Sequence, residues 1–338
     1  MKVLYLLTAP PPAIEGTDAV LQEAQLLRAR FGGELAHVAP SSRPWARVPR
    51  PLYGLHALPG IRRLERRVDV IHLFHAELYP FPLIRFLRKP VVYTVVSGLG
   101  ADRDPSSGVL GKIKAIVVPG RRDMDRLALR GDPRGHLLPA GIDVSRFSVE
   151  PPPADGPFVL LAGSAPWTRE QFRTKGVESL LQVVQRTPRL RLVLLWRGWL
   201  LEELRRRITD LGLSDRVEVL TEHVDVNEVL AGVHAAVVLA SEQRLVKAYP
   251  HSLLEALAAG RPVLVSDGIT MADYVREAEC GEVVTGTDGR SLKEGIRRLR
   301  RRYASLQAQA RRVGKRDFSQ KRLCLLYTSD AADDVSTV

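Results

Sequence analysis

Short apolar runs recur along the whole chain, and the stretches between them carry helical spacing. In the first half the runs are VLYLL (3–7), ELAHVA (34–39), VIHLF (70–74), VVYTVV (91–96), AIVV (115–118) and HLLPA (136–140). In the second half they are FVLLAG (158–163), RLVLLW (191–196), RVEVL (216–220), AAVVLA (235–240), PVLVSD (262–267) and EVVTG (282–286). Continuous apolar strands alternating with helices make parallel sheets, because the crossover helices cover both faces. The spacing predicts helices over 18–30, 121–130, 176–186, 200–212, 252–259 and 291–313. The segment SVEPPPADGP (148–157) divides the series, since consecutive prolines resist both helix and central strand. The expectation is an α/β chain of two doubly wound domains, 1–150 and 151–322, facing a cleft. Ligands bind such sheets beyond the carboxyl ends of the strands.

Composition narrows the class. Of 338 residues, 45% are hydrophobic and 26% charged, which suits ordinary globular domains. No run reaches the roughly 18 apolar residues of a membrane span, and MKVLYLL reads as a first strand rather than a leader. Cys280 and Cys324 alone make neither a disulfide framework nor a thiolate metal cage, which points to a reducing cytoplasm. The net charge of +12 suits either an anionic partner or Arg-rich, solvated helix faces. Arg43, Arg47, Arg50, Arg62, Arg63, Arg66 and Arg67, interleaved with Trp45, Tyr53, Leu55 and Leu58, suit an anionic membrane surface on its inner, cytoplasmic side. Nucleic acid is not expected, for the chain has no zinc-finger spacing and no aromatic RNA-binding signature.

The stretch VKAYPHSLLEALAAGRPVLVSD (246–267) sets a short helix between two proline turns. Ser252 and Glu255 have the S-x-x-E spacing of a capping box, in which each side chain satisfies a first-turn amide. The amides of His251, Ser252 and Leu253 equally suit a phosphate at the positive end of the helix dipole. Spacing leaves both readings open. Asp102-Arg103-Asp104 reads as a solvated loop string rather than a metal site, and His72 and His75 read as strand residues, so no metal is expected.

YPHSLLEALAAGRPVLVSD resembles the signature of retaining glycosyltransferases of the GT-B superfamily, family 4. The resemblance extends through DVIHLFH (69–75), KPVVYTVV (89–96), LLPAGIDVSRF (137–147), TKGVESLL (174–181) and VNEVLAGVHAAVVLASE (226–242). It covers roughly residues 1–320 and implies two Rossmann-like domains, with a nucleotide-sugar donor held by the second. Glu255 would then meet the donor ribose, and Lys175 the diphosphate. Arg169 or Arg173 would supply the family's additional cation, Arg169 being preferred. Backbone near Glu222 and Val224 would meet the base. Gly16 stands where many relatives carry a double glycine. Lys247 replaces the first Glu of the family's E-x7-E pattern, and Val96 replaces the His of its T-x-H-G pattern.

The resemblance therefore implies transfer of a hexose from a nucleoside-diphosphate sugar to a hydroxyl acceptor, lipid-linked, polysaccharide or small, with retention. No cofactor is needed beyond that donor. Alternatives on the same architecture are a nucleotide-sugar epimerase and a non-catalytic nucleotide-sugar binder. The end, 323–338, departs from the Arg-rich style before it and reads as a non-native tail that cuts off the family's returning C-terminal helix.

Overall fold

The computed structural model describes residues 1–12, 18–39, 52–75, 83–97, 111–147, 150, 152, 155–196, 200–222 and 224–329, with side chains as far as Cys324. Gly16, the Asp102–Asp104 string, and Arg43, Trp45, Arg47 and Arg50 lie outside them. The chain forms two compact units, Met1–Gly141 with Gln320–Val338, and Ile142–Ser319. The proline-rich segment thus belongs to the second unit and is not the divider. The chain entering this unit is tied to it by Ile142 N–H, which donates to Phe318 O at 2.8 Å, and by buried Arg261, which donates to Glu150 O.

Every predicted strand forms, with ends within three residues of those expected. The first unit has β1 (Val3–Leu7), β2 (Glu34–His37), β3 (Val70–His75), β4 (Val91–Val95), β5 (Ile113–Val118) and β6 (Gly135–Leu137). The second has β7 (Phe158–Ala162), β8 (Leu190–Leu195), β9 (Val217–Leu220), β10 (Ala235–Val238), β11 (Val263–Ser266) and β12 (Gly281–Val284). Both sheets are six-stranded, in orders β2-β1-β3-β4-β5-β6 and β12-β11-β10-β7-β8-β9. All pairings are parallel. Central strands such as β1, β4, β10 and β11 are buried along their whole length, which is why they read as unbroken apolar runs.

Each sheet reverses its strand order once, between β1 and β3 in the first unit and between β7 and β10 in the second. Those reversals are where a crevice opens at the carboxyl edge.

Helices depart further from expectation. The single helix expected over 291–313 is two, Gly289–Arg301 and Tyr303–Asp317, broken at Arg302. The helix Gln320–Ser329 returns to the first unit, where Leu323, 2% exposed, joins a core with Tyr5, Leu7 and Leu27. The chain from 320 to 323 thus belongs to a helix whose Leu323 packs beside the helix Ala19–Phe31 in that core. Tyr53 and Leu58 also turn inward and pack on the first-unit core, while Arg63, Arg66 and Arg67 stay exposed. Among the described residues no helix is long and apolar enough to cross a membrane.

Candidate functional site

The order reversal of the second sheet brings Lys175 and the amino end of one helix of the predicted site close together. β7 runs into Gly163-Ser164-Ala165, while the short helix Gln171–Thr174 ends at Lys175. Gly176 takes a left-handed φ of 65°, and a Cβ there would stand 2.8 Å from Leu239 Cδ1. Only glycine turns the chain tightly enough against the end of β10 to carry Lys175 to this point. Ser241 N–H, donating to Thr174 O at 2.8 Å, fastens the same turn to the loop after β10.

Lys175 is 6% exposed. Its Nζ donates to Ser164 Oγ at 3.2 Å and to Ala165 O at 3.1 Å, both neutral acceptors. Burial without a carboxylate partner pulls the ammonium down to about 8. A cavity of ≈ 20 Å³ beside it, lined by Ser164, Trp196 and Leu239 among others, has room for about one water. The cation is thus held by dipoles alone, an arrangement that an arriving anion would complete.

The helix His251–Ala258 points its amino end at the same place. A Cβ on Gly163 would stand 3.3 Å from Ser252 Cβ, so the strand end and the first helical turn approach closely because residue 163 has no side chain. The capping-box reading is corrected: Pro250 is the N-cap, and no side chain caps the helix. Pro250, with φ −62° and extended ψ, already starts the helix one residue before Ser252. Leu253 N–H turns inward onto Pro250 O at 2.9 Å, so it is not an anion donor here. The Ser252 amide is among the first-turn donors that have no intrahelical acceptor. Leu253, Leu254, Ala256, Leu257 and Ala258 are buried, whereas His251, Ser252 and Glu255 are half-buried. Spacings of three and four place these last residues on one face of the helix.

The remaining candidates are less convergent. Arg169, 77% exposed, pairs with Glu203 at 3.1 Å, and Arg173, 75% exposed, pairs with Glu170 at 3.9 Å. Neither guanidinium reaches Ser164 or Ala165. Lys247 is half-buried in the loop leading to Pro250. Glu242, farther back in that loop, pairs with Arg244 at 2.8 Å. Glu222 is exposed and Val224 half-buried, just past β9. Val224 also lines a groove of ≈ 670 Å³ formed with Val159, Arg191 and Val217. That groove lies along the strands rather than at the Lys175 edge and shares no residue with its cavity.

Two braces escaped the sequence reading. Gln243, 8% exposed, donates to Val246 O at 3.2 Å and accepts from Thr270 N–H, tying the Lys247 loop to the loop after β11. Ser266 Oγ donates to Ala240 O at 2.7 Å and accepts from Ala240 N–H at 2.8 Å, locking β10 to β11 at their ends. A buried glutamine and a strand-end serine carry no sequence signal for such contacts. Among the described residues no group of three or more His, Cys, Asp or Glu is arranged to hold a metal.

Residues 169–316 match the family model for glycosyl transferases group 1. The lipopolysaccharide core biosynthesis glycosyltransferase LpsE of Rhizobium meliloti is 29% identical over 147 residues, 44% of this chain and 40% of that protein. An exopolysaccharide phosphotransferase of Streptomyces coelicolor is 32% identical over 124 residues, 36% of this chain and 13% of that protein. The matched segments thus span less than half of either curated relative. Among solved structures, Anabaena HepE in complex with UDP aligns over 100% of both chains at TM-score 0.73 and 15% identity. Sucrose-phosphate synthase from Thermosynechococcus elongatus aligns over 100% of both chains at TM-score 0.75 and 17% identity. With two parallel six-stranded sheets, each flanked by helices, the fold is GT-B.

Proposed function

We propose that this GT-B chain, which matches the group 1 glycosyl transferases over residues 169–316, is a glycosyltransferase. It moves a sugar from a nucleoside diphosphate to a hydroxyl acceptor, with retention. The observation that carries the reading is Lys175, a buried ammonium held by neutral acceptors at the order reversal of the second sheet. A sugar diphosphate leaves as an anion, and preorganised cations and helix amides lower the barrier by meeting the charge as it develops. In this reading Lys175 and the Ser252 amide meet the diphosphate, Glu255 accepts from the ribose hydroxyls, and His251 and Lys247 contact the phosphate or sugar. The backbone at Glu222 and Val224 meets the base. Arg169 and Arg173 reach the donor only by exchanging their carboxylate partners. HepE was crystallised with UDP and with UDP-glucose, which makes uridine the first base to try. An anionic membrane surface on its cytoplasmic side, met by Arg63, Arg66 and Arg67, is the proposed setting for a lipid-linked acceptor.

Isothermal titration of the full chain with UDP, GDP and ADP, followed by turnover of the matching sugar nucleotides with methyl glycosides, tests the reading. Micromolar binding of one nucleotide, lost in Lys175→Met, is expected. Failure to bind any of the three overturns it. Lys247, standing where the family has a Glu, favours one second reading: a donor-binding protein that does not transfer. It predicts nucleotide binding with no turnover.

A further inference from the structure

The Ser252 amide can meet a phosphate only if the amino end of the helix His251–Ala258 stands at a fixed place and angle. That end has no side-chain cap, so its position is set from outside the helix. Tyr249, 9% exposed, is the last residue before the N-cap Pro250, and its ring lies in a cluster with those of Tyr274 and Phe318. The centroids stand 6.3 Å apart for Tyr249 and Tyr274, 5.9 Å for Tyr249 and Phe318, and 4.9 Å for Tyr274 and Phe318. Aromatic rings attract at all three distances, and two of the pairs meet edge to face. Tyr274 comes from the helix Met271–Ala278, and Phe318 follows the helix Tyr303–Asp317.

The cluster is itself anchored. Tyr274 O–H donates to Asp317 Oδ2 at 2.7 Å, and the Arg316 guanidinium donates to both Asp317 oxygens, each at 2.7 Å. Hydrogen bonds to a charged group are the stronger kind. Burial, and then the Asp317 carboxylate, push the Tyr274 phenol up, so it keeps the proton that this bond needs. Phe318, 1% exposed, is held through its backbone as well, its carbonyl accepting from Ile142 N–H at 2.8 Å. Gly314 sets the spacing of the two helices at the other end, for a Cβ there would stand 2.3 Å from Leu257 C. Gly314 meets Leu257 and Phe318 meets Tyr249, so the helix Tyr303–Asp317 runs antiparallel along His251–Ala258 and holds it at both ends. Gln243, between Val246 O and Thr270 N–H, ties the same loop to the start of the helix that carries Tyr274.

We propose that Tyr274 and Phe318 are positioning residues for the nucleotide: through the Tyr249 ring they set where the amino end of the helix His251–Ala258 meets the diphosphate. The proposal rests on the donor reading above and adds to it the part of the chain that aims the helix. Misplacing a binding group by a fraction of an ångström weakens what it holds, even when the change lies in a residue that does not touch the ligand.

Titration calorimetry of UDP, GDP and ADP, and of the matching nucleosides, into the full chain tests it. Tyr274→Leu and Phe318→Leu keep apolar bulk and lose the ring. Each should weaken the nucleoside diphosphate about tenfold and the nucleoside, which has no phosphate for the helix to meet, less than about twofold. Tyr274→Phe keeps the ring and should stay within about threefold of wild type for both. Leu204→Ala, a cavity in the core of the same unit, should lower the melting temperature and leave both affinities unchanged. Hydrogen exchange on the wild type needs no variant. Saturating nucleoside diphosphate should slow the Ile142 amide at least about threefold, because holding the helix end also holds the Phe318 carbonyl. Unchanged affinity in both leucine variants, equal losses for nucleoside and diphosphate, or unaltered exchange at Ile142 each overturn the positioning role and leave the donor reading intact. A wild type that binds none of the three nucleotides overturns the donor reading, and the positioning role with it.

Discussion

Replacing Lys175 by Met should stabilise the second unit while abolishing nucleotide binding. In the native chain the ammonium is held near 8 against an ordinary 10.5, which at neutral pH costs the native state about 3 kcal/mol relative to the unfolded chain. Met fills the space of the lysine stem without the charge, but Ser164 Oγ and Ala165 O lose their donor, at about 1 kcal/mol or less each. The net expectation is a gain of about 1–2 kcal/mol at pH 7. Between pH 8 and 10.5 the unfolded wild type keeps this proton and the native wild type releases it. Wild-type stability therefore rises with pH across that window, the variant's does not, and the variant's advantage vanishes above it. Urea unfolding followed by the fluorescence of Trp196, which lines the same cavity, measures both quantities. In parallel, UDP affinity should fall by at least about thirtyfold, the loss expected when one partner of a buried charge pair is removed. A variant less stable than wild type at pH 7, with the same pH slope, would refute the claim that this charge is strained. A variant that binds UDP as tightly as wild type would remove Lys175 from the site.

Glu255→Gln should keep the helix, whose N-cap is Pro250, and should weaken UDP binding by about tenfold, as loss of a charged acceptor does. Unaltered affinity in titration calorimetry would return Glu255 to a purely local role. His72, bonded to Thr94 Oγ1 at 2.7 Å and held near 3, and His75, held near 4, must both take up protons when the first unit unfolds in acid. As pH falls from 6 to 4 the unfolded chain binds those protons first, so stability should drop by up to about 2.7 kcal/mol per pH unit. His72→Gln should halve that slope in denaturant titrations, and an unchanged slope would show that the histidines do not set it. Leu323→Ala should cost the first unit about 2–3 kcal/mol, because it opens a cavity between the returning helix and Leu27. Wild-type stability in that variant would put the returning helix outside the core.

The strands were legible because a strand covered on both faces has to be apolar throughout, as AAVV and VLVS at the centre of the second sheet are. The break at Arg302 was not, since the Arg-rich pattern keeps helical spacing straight through it. Ser252 stayed open for a related reason: S-x-x-E spacing marks a cap only if the helix begins there, and Pro250, already set near helical φ, begins it earlier. Lys175 illustrates the limit more sharply. Its residue type and the glycine after it are visible in the chain, and so is the implication of an anion. Its strain is not visible. That arises because Gly176 turns left-handed against Leu239, which buries the ammonium beside Ser164 and Ala165, with no carboxylate among the described residues paired to it. Gln243 and Ser266, which hold the neighbouring loops, find partners 27 and 26 residues away, across the paired strands β10 and β11 that a crossover helix separates in sequence. Residue types that carry charge can be read along the chain. Whether a charge is strained depends on strand register and exists only once the sheet has formed.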